Sequence, residues 1–196
     1  MAVTLNASTS TGYIQTADTS GDLAIQSNGT TQFNVTSTGA YGQLKSGTAV
    51  LSTSGTAVTF TSLPSWVKRI TLTLSGVSLS GTDNFLVQIG PSGGVETSSY
   101  SSSSIYGGSA TGSGSSSSGF LLINGSAANV ISGIITLVNL TGNTWVYNGM
   151  ASSDGSTVIV YGTGVKTTAS TISVVSITRT GTNTFDAGTI NILYEG

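Results

Sequence analysis

The chain has 196 residues, 37% of them hydrophobic and 6% charged, with a formal net charge of −2, no Cys and no His. That length suits one domain with an attached segment and can bury roughly 70% of the surface an unfolded chain exposes. The composition speaks against disulfides, thiolate or imidazole metal sites, a Cys nucleophile and the usual His general base. With five basic residues in all, it also speaks against nucleic-acid binding, which needs several cations to neutralise phosphates.

The N-terminus, Met1-Ala-Val-Thr-Leu-Asn-Ala-Ser8, has neither a basic region nor a long apolar core, so no signal peptide is expected. No stretch approaches the roughly 20 apolar residues that span a bilayer. Membrane insertion is therefore not expected, and synthesis in a cytoplasm is. Residues 1–44 form a distinct opening segment with sparse apolar positions: Tyr13-Ile14, Leu23-Ala24-Ile25 and Phe33-Asn34-Val35. Asn28-Gly29, between Leu23–Ser27 and Thr31–Thr36, predicts a hairpin, because both central residues of a type I′ turn take positive φ. These strands carry too few large side chains to offset their own ordering entropy. An arm that needs a partner surface is expected over 1–44.

Residues 45–196 predict dense β structure. The expected strands are Ala57–Thr61, Trp66–Leu74, Phe85–Ile89, Phe120–Asn124, Val130–Asn139, Thr144–Ala151, Thr157–Tyr161, Thr171–Thr178 and Thr189–Tyr194. In the second of these, Ile70, Leu72 and Leu74 share a face and Thr71 and Thr73 the other. In the last, Ile190, Ile192 and Tyr194 share a face. Period-two alternation with one apolar face describes an antiparallel sheet. No helical periodicity is evident. The expected fold is all-β, an antiparallel, jelly-roll-like β-sandwich preceded by the extended arm. One stretch, Pro91 to Gly119, is almost entirely Ser, Gly, Thr and Tyr. It predicts one long loop, with at most a short strand near Ile105-Tyr106.

Chemistry is sparse. Without His, a nucleophile would depend on Lys45, Lys68, Lys166 or a carboxylate. A carboxylate pair for glycoside hydrolysis would come from Asp83, Glu96, Asp154 and Asp186. Asp83, Asp154 and Asp186 sit in Gly/Ser/Asn contexts that favour turns, where such side chains bond nearby backbone. Gly112-Ser113-Gly114 lacks the helix a phosphate loop needs, and Gly162 to Thr168 reads as a hairpin loop. Asp18 and Asp22 fall far short of an EF-hand loop. No catalytic residue, metal or cofactor is expected, and the chain is not expected to be an enzyme. Trp66 and Trp145 are expected as core or interface anchors. Tyr100 and Tyr106 lie in the Ser/Gly-rich loop, a composition suited to adaptable contacts. They are the expected receptor contacts, with a host-surface glycan as the ligand.

The segment SGDLAIQSNGTTQFNVTSTGAYGQLK, Ser20 to Lys45, resembles the short β segments of tail fibre-like virion proteins of tailed bacteriophages, of the cyanophage and marine phage type. LPSWVKRITLTLSGVSLSGTDNFLVQIG, Leu63 to Gly90, resembles the start of a β-sandwich domain in the same proteins, and FDAGTINILYEG, Phe185 to Gly196, resembles their final segment. The resemblance implies a virion location and a homotrimer whose residues 1–44 dock to other virion proteins. It implies a short tail fibre or fibre tip used in host attachment. The chain is short for a tail fibre, so a capsid decoration protein that stabilises the head is the alternative. The resemblance brings no catalytic or binding residues with it.

Overall fold

The computed structural model describes residues 23–27, 30–36, 39–41, 44–124, 126–154 and 158–196. The expected elements at Tyr13-Ile14 and Asp18–Asp22, and the Asn28-Gly29 pair itself, lie outside the described residues. The chain divides into two compact units at Gln43/Leu44, one residue before the expected boundary, because Leu44 already pairs with Glu195.

In the first unit β1 (Leu23–Ser27), β2 (Thr30–Thr36) and β3 (Gly39–Tyr41) form an antiparallel sheet in that order. β1 and β2 pair from Ser27↔Thr30 out to Leu23↔Val35, so the predicted hairpin partners are the observed ones. Ile25 and Phe33 stand directly opposite each other and are 54% and 37% exposed.

The second unit contains β4 (Leu44–Ser46), β5 (Val50–Leu51), β6 (Val58–Phe60), β7 (Arg69–Leu79), β8 (Phe85–Gly90), β9 (Ser101–Gly108) and β10 (Gly112–Ser116). Beyond them come β11 (Phe120–Leu122), β12 (Val130–Thr141), β13 (Thr144–Asp154), β14 (Val158–Thr167), β15 (Val174–Arg179) and β16 (Phe185–Glu195). The large sheet runs β10-β9-β14-β13-β12-β7-β16-β4, with β5 also on β16; the small sheet runs β11-β8-β15-β6. Every pairing is antiparallel. Ile70, Leu72, Ile135, Leu137 and Val160 of the large sheet share one core with Phe85, Val87, Ile89, Phe120 and Val175 of the small one. The unit is all-β and β-sandwich-like, with no helix among the described residues.

All nine expected strands are present, with shifted ends. β7 starts at Arg69 rather than Trp66 and runs on to Leu79. The strand continues through Gly76, which takes a φ of 63° and whose N–H donates to Ser132 Oγ at 3.0 Å. Two expectations are corrected. The stretch 91–119 is not one loop but carries the hairpin β9–β10, and β9 lies against β14 inside the large sheet. The stretch 162–168 is not a hairpin loop: Gly162 to Thr167 continue β14 in unbroken register with β13.

Glycines on the inner face make room for an aromatic there. Gly149 and Gly162 stand opposite each other. A Cβ on either would lie 2.4 Å or 2.6 Å from the Tyr147 hydroxyl, closer than any packed core permits. In that space Tyr147 Oη donates to the Leu121 carbonyl of the small sheet at 3.2 Å.

Candidate functional site

The low-complexity segment is tied into the sandwich by serine. β9 alternates Ser101 and Ser103 outward with Ser102 and Ser104 inward. Ser102 Oγ donates to the Thr163 carbonyl at 3.1 Å and accepts from Leu121 N–H at 2.9 Å. Ser104 Oγ donates to the Tyr161 carbonyl at 2.7 Å and accepts from Ile123 N–H at 3.2 Å. Each hydroxyl thus links a carbonyl of β14 to a buried N–H of the segment Phe120–Ile123 across the two sheets.

Tyr100 is not placed to meet a receptor. It is 5% exposed, edge-on to Phe120 at 4.9 Å, while Phe120 stacks on Tyr147 at 4.8 Å. Its hydroxyl accepts from Ile89 N–H at 2.9 Å and lies 2.9 Å from the Glu96 carbonyl and 3.1 Å from that of Ile89. Burial pushes its phenol up to about 12, and burial raises Tyr147 too. Tyr106 faces inward at the end of β9, half-buried against the core, with its ring against Gly112. A ring spent on packing offers little contact area to a ligand, so neither tyrosine presents the face expected of it.

Among the described titratable groups Lys166, Glu96 and Tyr100 come together, while Asp83 and Asp186 are engaged elsewhere. Lys166 points into the core at 4% exposure. Its Nζ lies 2.6 Å from Glu96 Oε2 and 5.1 Å from the Tyr100 ring centroid, and donates to the Ser98 carbonyl at 3.0 Å. Burial alone would raise the Glu96 carboxyl. The Ala169 N–H at 2.7 Å and the Lys166 ammonium outweigh it and hold Glu96 below the ordinary range. Asp83 accepts from Asn183 N–H at 2.8 Å, tying two distant loops together rather than its own turn. Asp186 lies in β16, not in a turn, and accepts from Ser78 Oγ. Asp154 ends β13, and its side chain lies outside the described residues. Trp145 is a core anchor as expected, and Trp66 packs against Tyr194 at 5.9 Å.

What the large sheet does present is its outer face. Ile134 stands opposite Met150 and Thr73, Met150 opposite Tyr161, and Tyr161 opposite Ile105. Ile134, Met150, Tyr161 and Ile105 make an apolar row across four strands, each between 46% and 55% exposed. Two residues along, Thr71, Thr136, Asn148, Thr163 and Ser103 form a polar row. Two further along, Val138, Val146 and Val165 form a second apolar row, 39–44% exposed. A hollow of about 240 Å³ opens among Ser103, Ile105, Asn148, Tyr161 and Thr163, and another of about 290 Å³ over Ile134, Met150 and Ile159. Among the described side chains of these rows the charge sits at one margin, where Arg69 pairs with Glu195 at 2.9 Å.

This surface went unnoticed in the sequence, although it left a signal. Ile134-Ile135, Leu137-Val138 and Val158-Ile159-Val160-Tyr161 are unbroken apolar runs where an antiparallel sheet with one wet face should alternate. These strands carry apolar side chains on both faces. No family model, no curated protein and no solved structure matches the chain.

Proposed function

We propose that the chain is a structural protein of a phage virion: a short trimeric fibre or fibre tip that takes part in host-surface attachment. In this reading the second unit is a jelly-roll-like knob, and the first unit is the arm that docks to other virion proteins. The observation that carries it is the Ile25–Phe33 pair. These facing side chains are two large hydrophobics of a three-stranded sheet, and both stand exposed. A sheet this small that leaves such a pair uncovered needs a surface to lie on. The resemblance of residues 20–45, 63–90 and 185–196 to phage fibre-like proteins supplies the setting. Tyr100, buried in the core, leaves little surface for the receptor contact expected of it.

The test is a full-length Ile25→Asp/Phe33→Asp variant produced during particle assembly. The expected result is loss of the chain from purified particles, while its second unit melts as in the wild-type chain. Normal incorporation would overturn the arm reading. Copy number per wild-type particle separates fibre from capsid decoration: a few dozen chains or fewer place it at the tail or a vertex, hundreds on the head.

A further inference from the structure

We propose that the outer face of the large sheet is the surface through which copies of this chain pack against one another, about a rotation axis parallel to its strands. The proposal deepens the trimeric part of the reading above and rests on it for the number of copies.

Four observations support a second copy as the occupant. The first is chemical. The face presents two apolar rows flanking a polar one, and its charged pair, Arg69–Glu195, lies at the margin and is neutralised within one chain. A nucleic acid or other polyanion finds no free cation there. A saccharide could pair its hydroxyls with the polar row and stack on Tyr161, but would leave the aliphatic Ile134, Met150, Val138, Val146 and Val165 on either side without a matching apolar surface.

The second is scale. Strands about 4.8 Å apart and residues about 3.3 Å along each strand give β9, β14, β13, β12 and β7, over the span Ile159–Val165, roughly 550 Å² of projected face. The accessible area of a corrugated surface exceeds its projection. Its projection alone thus reaches the upper end of the largest patch of an ordinary monomer, about 300–600 Å², and approaches the ~800 Å² per partner of a stable interface.

The third is symmetry. Rotation about an axis parallel to the strands leaves height along the strands unchanged. The Ile134–Met150–Tyr161 row of one copy then meets the same row of the next, Val138–Val146–Val165 meets itself, and Asn148 and Thr163 meet polar partners. A foreign protein would need its own matching bands, whereas a copy of this chain has them already. The fourth is position. Asn148 stands on β13, between β12 and β14 in the sheet order, so the polar row crosses the middle of the contact, where paired amides and hydroxyls fix register.

The experiment compares the mass in solution of the purified full-length chain at micromolar concentration with that of Ile134→Glu/Met150→Glu. Both side chains point outward, and Ser54→Glu/Ser92→Glu, at exposed loop positions, controls for added charge. The expected result is three chains for wild type and control, and one chain for the face variant with an unchanged far-UV circular dichroism spectrum. A second measurement does not depend on disruption. The chain has no cysteine, so Asn148→Cys should cross-link between copies through a short bifunctional maleimide, and Ser92→Cys should not. A single-chain mass for the wild type, a three-chain mass for the face variant, or no cross-linking at position 148 would overturn the proposal. A two-chain mass that the face variant dissolves would keep the surface and overturn the three-fold reading. These masses are independent of particle incorporation, so a monomeric chain that still enters virions sinks this inference alone.

Discussion

Lys166 occupies an inward position of β14, where the alternation calls for an apolar side chain. It is tolerated because three kinds of partner replace its water: the Glu96 carboxylate, the Ser98 carbonyl and the face of Tyr100. Glu96→Gln should cost about 3 kcal/mol, the low end for removing one partner of a buried pair, since two of the three remain. For a unit of this size that is a fall in melting temperature of roughly 6–12 °C by calorimetry. The pH dependence follows from the direction of the Glu96 shift. Its folded carboxyl sits below its unfolded value of 4.5, so the contribution is complete above that value and is lost as pH falls through the lowered folded one. The wild-type advantage over Glu96→Gln should therefore hold at neutral pH and shrink on acidification below about pH 4.5. An advantage that persists undiminished at pH 2 would show that the pair does not carry it. At the alkaline end the sign reverses: Tyr100, pushed up to about 12 from 10.0, contributes stability below pH 10 that fades as pH rises toward 12. Tyr100→Phe should remove that part of the alkaline decline in a pH series of melting temperatures. None of this was legible in the sequence. Lys166 and Glu96 are 70 residues apart, and nothing local marks a lysine as inward-facing.

Legibility at the level of elements depended on contrast between the two faces of a strand. β7 and β16 were readable because Ile70, Leu72, Ile190 and Ile192 alternate with Thr71, Thr73 and Asn191. β9 and β10 were not, because serine occupies both the buried and the exposed positions. A period-two pattern cannot be seen when one residue type serves both sides. What differs is the hydroxyl's task, and that can be tested by parity. Ser102→Ala/Ser104→Ala should cost about 2–4 kcal/mol, since each change leaves a buried N–H of the small sheet's β11 segment without its acceptor. Ser101→Ala/Ser103→Ala, one residue out of phase, should stay within about 0.5 kcal/mol. Equal effects in chemical denaturation would mean that β9 is not held by its inward serines.

The whole chain reads as two units of unequal self-sufficiency. The second contains every residue of the shared core, so a chain of Leu44–Gly196 should unfold in one cooperative transition within about 2 °C of the corresponding transition of the full chain. A broad, non-cooperative melt would contradict the division at Gln43/Leu44. The boundary was visible in the sequence as a drop in large side chains, which is a direct record of how much surface a segment can bury. The apolar rows of the large sheet were harder to see, because hydropathy counts a side chain as core whichever way it points. Their near-freedom from charge has a consequence for the setting in which they work. Ionic strength acts on association by screening charges, with a screening length that falls to about 3 Å at 1 M salt, and these rows give it almost nothing to screen. A contact built on Ile134, Met150, Val146 and Val165 would hold equally in dilute buffer and in brine, tighten in strongly hydrated salts, and loosen in the cold.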